Sequence, residues 1–341
     1  VQDQDQLVPL VEKIYLKLAK RYKVYKRQYN ISIVLGISFY PGQAKDAQQL
    51  YEFASQALDK AKGLSWPIEF YDDGSKNDLS GYTLIQSLRQ ALDNDEFKLV
   101  FQPVIDLKQP RTVYMEALLR WKNPDMHNYS IERTIHLAEK NQLIQPLTNW
   151  IVSTACELIS RLNISDMVVG INLSMVDLHD HYLPGRISKC LNRYKIKPGR
   201  LMIEITESQI MQDPDEVAEI LSHLGMMGLP LSIDDFGTGQ ASLTYLKKLP
   251  VEKLKIDQSF IRDMLHNADD KLIVKATIEL AHTLDLEVTA EGVESAEVER
   301  LLRELNCDHA QGYYISRPLE ADQIPAWYQQ YSSTVRKISL N

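Results

Sequence analysis

Eight short apolar runs alternate with longer stretches of helical spacing and fill most of the chain beyond about residue 97. They lie at 98–105, 113–121, 167–173, 201–206, 230–235, 253–257, 286–291 and 308–315. Such alternation predicts an α/β fold with a largely parallel sheet, and eight repeats over this length predict a closed TIM-like (β/α)8 barrel. One pair breaks the pattern. Only the polar turn Lys108-Gln109-Pro110-Arg111 separates the first two runs, whereas a parallel pair needs a crossover of about a dozen residues. The first barrel strand is therefore expected to be antiparallel.

The chain upstream reads as a separate small α/β domain. Leu7, Val11, Ile14 and Leu18 share a helical face across 5–22, and the run 31–39 is strand-like and ends at Pro41-Gly42, a turn signal. Asp46 can cap a helix whose inner face carries Ala47, Leu50, Ala54, Ala57 and Ala61, and a short strand follows at 67–71. The polar, turn-rich stretch 72–78 marks the boundary, and 82–94 forms a connecting helix. The expected organisation is a small first domain over 1–78, a linker helix over 79–96 and the barrel over 97–335.

Strand alternation sorts the barrel residues onto two faces. Glu116, Leu118 and Arg120 share one face of the second run, opposite Met115, Ala117, Leu119 and Trp121. Asn172 opposes Ile171 and Leu173, Glu204 opposes Ile203 and Ile205, and Asp234 opposes Ile233. Lys255 opposes Leu254 and Ile256, Glu291 opposes Ala290, and Gln311 opposes Ala310. Taken singly, each polar residue also fits a solvated or salt-bridged strand end. Seven such placements in order favour a site at the C-terminal mouth of the barrel, where barrel active sites lie. Glu116, Glu204, Asp234, Asp235 and Glu291 would crowd there. Buried carboxylates repel one another and resist desolvation, so oxygen-preferring divalent cations are the simplest compensation. Two such ions about 4 Å apart, bridged by one carboxylate, suit phosphodiester hydrolysis. The glycines of Phe236-Gly237-Thr238-Gly239 allow a mobile loop over the site.

These residues resemble the EAL domain family. Glu116-Ala117-Leu118 is its signature, with Gln102-Pro103 before it and Arg120-Trp121 after it. The likeness continues through Asn172-Leu173-Ser174, Glu204-Ile205-Thr206-Glu207, Asp234-Asp235-Phe236-Gly237-Thr238-Gly239, Lys255-Ile256-Asp257, Ala290-Glu291-Gly292-Val293-Glu294 and Gln311-Gly312-Tyr313. The resemblance implies cleavage of cyclic di-GMP to linear pGpG with two Mg²⁺ or Mn²⁺ ions, by a homodimer. It implies that Glu116, Asn172, Glu204 and Asp234 hold one ion, and that Asp234 and Asp235 serve the second, with Glu291 and Gln311 around it. Lys255 would orient the attacking water and Glu291 would accept its proton. Arg120 would grip a phosphate, Gln102 and Leu118 would line the nucleotide site, and Glu207 would brace the loop after Asp235. The sequence departs from the family pattern at Gln240-Ala241, where tyrosine and serine are usual, and near Ile131 and Thr134. The first domain resembles the C-terminal part of a GGDEF domain without the GGDEF motif. The alternative to an enzyme is a cyclic di-GMP receptor that signals through protein partners. Receptors of this kind typically lack a metal carboxylate or the lysine, and this chain keeps them all.

Composition narrows the partners. The formal net charge of −8 over 341 residues argues against a nucleic-acid polymer as ligand. No run of about 18 apolar residues is present, so no membrane contact is expected of this stretch. Cys156, Cys190 and Cys307 are too scattered for a disulfide framework or a zinc knuckle and fit a cytoplasmic setting. The chain opens at Val1 within a helical pattern, which reads as a piece of a longer protein with sensory or membrane segments upstream.

Overall fold

The computed structural model describes residues 10–11, 14–15, 17–18, 22–24, 27–29, 33–41, 43–62, 68–71, 81–109, 112–122, 131–164, 166–237 and 246–338. The turn glycine Gly42, the stretch 72–78, and Thr238, Gly239, Gln240 and Ala241 lie outside them. The chain forms two compact units, one comprising Val1–Phe97 with Trp121–Ile144 and the other Lys98–Arg120 with Gln145–Asn341.

In the first unit, β1 (Tyr22–Val24) and β2 (Arg27–Tyr29) pair antiparallel. Strand β3 (Leu35–Ile37) is followed by helix α1 (Ala47–Lys62) and β4 (Ile68–Phe70), and β3 and β4 pair in parallel. A parallel pair needs such a crossover helix. Asp46 Oδ1 accepts from the Gln49 amide at 2.8 Å, the N-cap contact expected from sequence. A Cβ at Gly36 would lie 2.2 Å from the Leu58 backbone nitrogen, so only glycine lets β3 and α1 approach so closely. Helix α2 (Gly81–Asp93) follows.

The barrel strands are β5 (Phe97–Asp106), β6 (Thr112–Trp121), β7 (Val169–Asn172), β8 (Leu201–Thr206), β9 (Leu231–Phe236), β10 (Lys253–Ile256), β11 (Glu287–Ala290) and β12 (His309–Ala310). They close in the order β10-β11-β12-β5-β6-β7-β8-β9. Strands β6 through β12 pair in parallel, while β12 and β5 are antiparallel. Strand β5 is thus the one reversed strand, as its short connection to β6 requires. The run at 308–315 supplies only two strand residues, because the chain turns at Gly312.

The outward positions of these strands are apolar and buried. Ile171, Ile203, Ile233, Val288 and Ala290 all lie fully inside, away from solvent. Helices α3 (Ile131–Lys140), α4 (Ile144–Leu162), α5 (Met175–Leu178), α6 (Leu183–Tyr194), α7 (Glu207–Ile210), α8 (Pro214–Met226), α9 (Gln258–Arg262), α10 (Ala268–Thr283), α11 (Ala296–Glu304) and α12 (Ile324–Ile338) intervene between or follow the strands. Inside the barrel, Val104, Tyr114 and Met202 form an apolar layer. Below it, Lys253 pairs with Glu287 and closes the N-terminal end. The polar groups of chemical interest lie above that layer, at the other end. Cys156, Cys190 and Cys307 are free, and among the described residues no helix is long and apolar enough to cross a membrane.

Candidate metal centre

The centre is built by register. Glu116 on β6 pairs laterally with Gly170 on β7, Asn172 with Glu204 on β8, and Thr206 with Asp234 on β9. Inward residues of neighbouring parallel strands thereby reach one layer. Gly170 leaves room in it: a Cβ there would stand 2.1 Å from Glu204 Oε1. The Glu204 carboxylate occupies the space that a side chain on β7 would fill.

Simple alternation would send Asp235 to the opposite face from Asp234. The register between β9 and β10 shifts there, pairing Leu254 with Ile233 but Ile256 with Phe236. Asp235 also adopts φ +54°, in the left-handed region that aspartate tolerates better than most residues. Bulge and turn together bring Asp235 back to the mouth. Its loop is held from the first residue of α7, where Glu207 Oε2 accepts from the Gly237 amide at 2.8 Å.

Two carboxylate triads result, Glu116 with Glu204 and Asp234, and Asp234 with Asp235 and Glu291, each with oxygen atoms within 4.8 Å of one another. Asp234 belongs to both. The Lys255 ammonium, fully buried, lies 2.6 Å from Glu291 Oε1, 2.7 Å from Glu204 Oε2, 3.1 Å from Asp234 Oδ2 and 3.2 Å from Glu116 Oε2. Glu116 also accepts from Asn172 Nδ2 at 3.0 Å and from Gln311 Nε2 at 2.6 Å. Gln311 lies 3.3 Å from Gln102, which donates to the Ser316 carbonyl at 3.1 Å.

One lysine cannot balance this many carboxylates. Burial pushes Glu204 up to about 8, with the charges of Glu116 and Asp234 adding to it against Lys255. Asp235 is pushed up to about 7 by burial and then by Asp234. Burial raises Asp234 and takes Glu291 well above the usual carboxylate range. Glu116 goes the other way: burial opposes its charge, but Lys255 and the amides of Gln311 and Asn172 outweigh it and lower its pKa. The same carboxylates hold Lys255 well above its ordinary value despite its burial.

The residues fit divalent cations on direct grounds. Glu204 Oε1 is buried and has no hydrogen-bond partner, a state that costs free energy unless a cation or donor meets it. Every other donor in the two triads is a carboxylate oxygen, the ligand that Mg²⁺ and Mn²⁺ prefer. The buried acidic cluster of Glu116, Glu204 and Asp234 fits a metal site of the kind EAL domains use.

A cleft of about 250 Å³ opens beside the centre. Gln102, Glu116, Leu118, Asp234, Glu291 and Gln311 line it, all singled out in the sequence. Arg120 is not among the lining residues; its guanidinium donates to the Leu119 carbonyl at 2.7 Å. Gln258, Arg262, Glu294 and Tyr313 line the cleft as well and had no assigned role in the sequence. All four follow the C-terminal ends of β10, β11 and β12, which is the signal that could have marked them. Arg262 pairs with Glu294 at 3.3 Å, and the Arg317 guanidinium stacks 4.5 Å over the Tyr313 ring.

Comparison with known proteins agrees with this geometry. The chain is 35% identical over 323 residues to the bifunctional diguanylate cyclase/cyclic di-GMP phosphodiesterase MucR of Pseudomonas aeruginosa, covering 93% of this chain and 47% of that protein. It is 32% identical over 330 residues to the cyclic di-GMP phosphodiesterase NbdA of the same organism, covering 94% and 42%. The chain thus spans less than half the length of these two relatives. A solved structure of the PaMucR phosphodiesterase in complex with c-di-GMP superposes with a TM-score of 0.67 at 38% identity, covering 71% of this chain and 99% of that one. The EAL domain profile matches residues 85–318, and with the barrel, the signature at Glu116-Ala117-Leu118 and the acidic mouth on one set of strands, the chain belongs to the EAL domain family.

Proposed function

We propose that this chain hydrolyses cyclic di-GMP to linear pGpG with two divalent cations, Mg²⁺ or Mn²⁺. The observation that carries the reading is the pair of carboxylate triads sharing Asp234. Glu116, Asn172, Glu204 and Asp234 would hold one ion, and Asp234, Asp235 and Glu291 the other. When bound, such ions supply Lewis acidity at the phosphate and lower the pKa of a bound water.

The remaining chemistry belongs to side chains. Lys255, fixed by four carboxylates at the barrel mouth, orients the attacking water. Glu291, in the second triad and 2.6 Å from the Lys255 ammonium, accepts the proton. Gln102, Leu118 and Gln311 line the cleft and contact the nucleotide. Arg120, released from the Leu119 carbonyl, grips a phosphate. Glu207, through the Gly237 amide, keeps the Asp235 turn in place. The relatives described as cyclic di-GMP phosphodiesterases support the choice of substrate. In the same reading the first unit is a partial GGDEF-like remnant. Its β3-α1-β4 crossover supports this, as does the match to bifunctional MucR, which runs beyond the EAL region.

A receptor is the second reading, and one observation favours it: the Lys255 ammonium already provides each of its four carboxylate neighbours with a cation. One experiment separates the two. The chain and its Glu116→Ala variant are incubated with cyclic di-GMP and Mn²⁺ or Mg²⁺, and the nucleotides are resolved by chromatography. Formation of pGpG by the parent alone supports the enzyme. Binding of cyclic di-GMP without any pGpG supports the receptor.

A further inference from the structure

We propose that His179, Asp213 and Glu216 form a second metal site, separate from the acidic centre and suited to a transition-metal dication such as Zn²⁺. His179 Nε2 lies 3.4 Å from Glu216 Oε2 and 3.9 Å from Asp213 Oδ2, and His181 Nε2 lies 3.8 Å from Glu216 Oε1. None of these residues belongs to the centre described above.

The orientation of His179 points to a ligand. Its Nδ1 lies 3.0 Å from the Met175 carbonyl, which can only accept, so Nδ1 carries a proton. In the neutral ring Nε2 then presents a lone pair to two carboxylates. A dication between them would meet this lone pair and both carboxylates at once. The 3.4 Å separation matches the edge of a tetrahedron with bonds of about 2.1 Å, the length of Zn–N and Zn–O bonds, and the 3.9 Å to Asp213 is somewhat longer. A ring nitrogen donating to a backbone carbonyl is also the usual outer support of a metal-bound histidine.

The frame is held independently of any ion. Asp213 caps α8, its Oδ1 taking the Glu216 amide, which leaves Oδ2 toward His179. Asp180, between the two histidines, is committed elsewhere: it accepts from the Tyr182 amide at 2.9 Å and from Gln145 at 3.1 Å, and pairs with Arg186. An imidazole beside two carboxylates favours Zn²⁺ over Mg²⁺ or Ca²⁺, which prefer all-oxygen sites. The ion would tie the connection between α5 and α6 to the start of α8.

The test uses the tag-free chain. Zn²⁺ binding is followed by equilibrium dialysis in excess Mg²⁺, for the parent and for His179→Ala, Glu216→Gln and Glu116→Ala. Cu²⁺ is then used as a spectroscopic probe in pulsed EPR, because the acidic centre has no imidazole among its donors. The expected result is a Zn²⁺ equivalent that survives Glu116→Ala and weakens more than about tenfold in His179→Ala and Glu216→Gln. Imidazole nitrogen coupling to Cu²⁺ should vanish in His179→Ala and persist in a His266→Ala control. Hydrolysis of cyclic di-GMP should be unchanged in His179→Ala. Failure to retain Zn²⁺ in Glu116→Ala, or imidazole coupling that persists in His179→Ala, overturns the proposal and leaves the cluster as a set of surface polar contacts.

Discussion

Replacing Lys255 with methionine removes its ammonium from a buried cage of carboxylates while keeping the volume of the side chain. Glu116 is the partner most exposed to the loss, since its lowered pKa leaves it ionised at neutral pH. At the 3.2 Å separation of Lys255 Nζ and Glu116 Oε2, Coulomb's law with an effective dielectric of 20 gives roughly 5 kcal/mol. Part of this is offset because methionine has no charge to desolvate. The net cost should fall near the 3–5 kcal/mol typical of removing one partner from a buried pair, about 3–5 kcal/mol here. For a unit of this size that lowers the midpoint by roughly 6–20 °C. Scanning calorimetry with a chelator present reads the loss directly. Saturating Mn²⁺ should stabilise the variant more than the parent, because the ions replace the missing charge, yet pGpG formation should remain abolished. A variant within about 1 kcal/mol of the parent in chelator, or one that Mn²⁺ stabilises less than the parent, would refute the view that Lys255 and the ions neutralise the same carboxylates.

Gly170→Ala places a Cβ 2.1 Å from Glu204 Oε1; it should cost about 1–3 kcal/mol and weaken Mn²⁺ affinity, as measured by titration calorimetry. Glu207→Ala removes the acceptor of the Gly237 amide and should lower kcat more than it raises KM, with Glu207→Gln restoring much of the rate because its amide oxygen still accepts. His309 sits at the other end of the barrel, where burial lowers its pKa from 6.5 to about 4. The unfolded chain binds the proton first, so stability is present above pH 6.5 and falls as the pH drops from 6.5 towards 4, by up to ~3 kcal/mol for this group. Denaturant midpoints across that range should flatten by this amount in His309→Gln.

The period of two along each strand made the inward residues legible in the sequence. Glu116, Asn172, Glu204, Asp234, Lys255 and Gln311 all fall on the inward face, because one register error would have exposed every apolar partner. The reversed β5 was legible from the length of its turn alone. Asp235 was not explained at that level. Its return to the mouth depends on a bulge opposite β10 and a positive φ, which alternation within one strand cannot express. Gly170 was invisible for a related reason: its role is set by the rotamer of a glutamate on the neighbouring strand. Gln258, Arg262 and Tyr313 reach the cleft from turns, where no periodicity assigns direction. The β1–β2 pair was missed because strands of three residues show too little alternation to separate from the helical pattern before them.

The acidic centre holds more negative charge than the fold needs, and that surplus is itself testable. Burial pushes Glu204 up to about 8, and its Oε1 has no partner. A carboxyl raised in the folded state binds its proton more tightly there than in the unfolded chain. Its contribution is therefore full below the unfolded value of about 4.5 and is lost as pH rises through about 8. Glu204→Gln keeps the shape and cannot ionise. In chelator it should match the parent at low pH and become the more stable protein by several kcal/mol as the pH approaches about 8. The stabilisation that Mn²⁺ confers on the parent should disappear in the variant, together with hydrolysis. A variant less stable than the parent at pH 8 without ions would mean that Glu204 supports the fold. The expected gain would mean instead that the barrel carries this carboxylate at a cost to its own stability, because cation binding requires it.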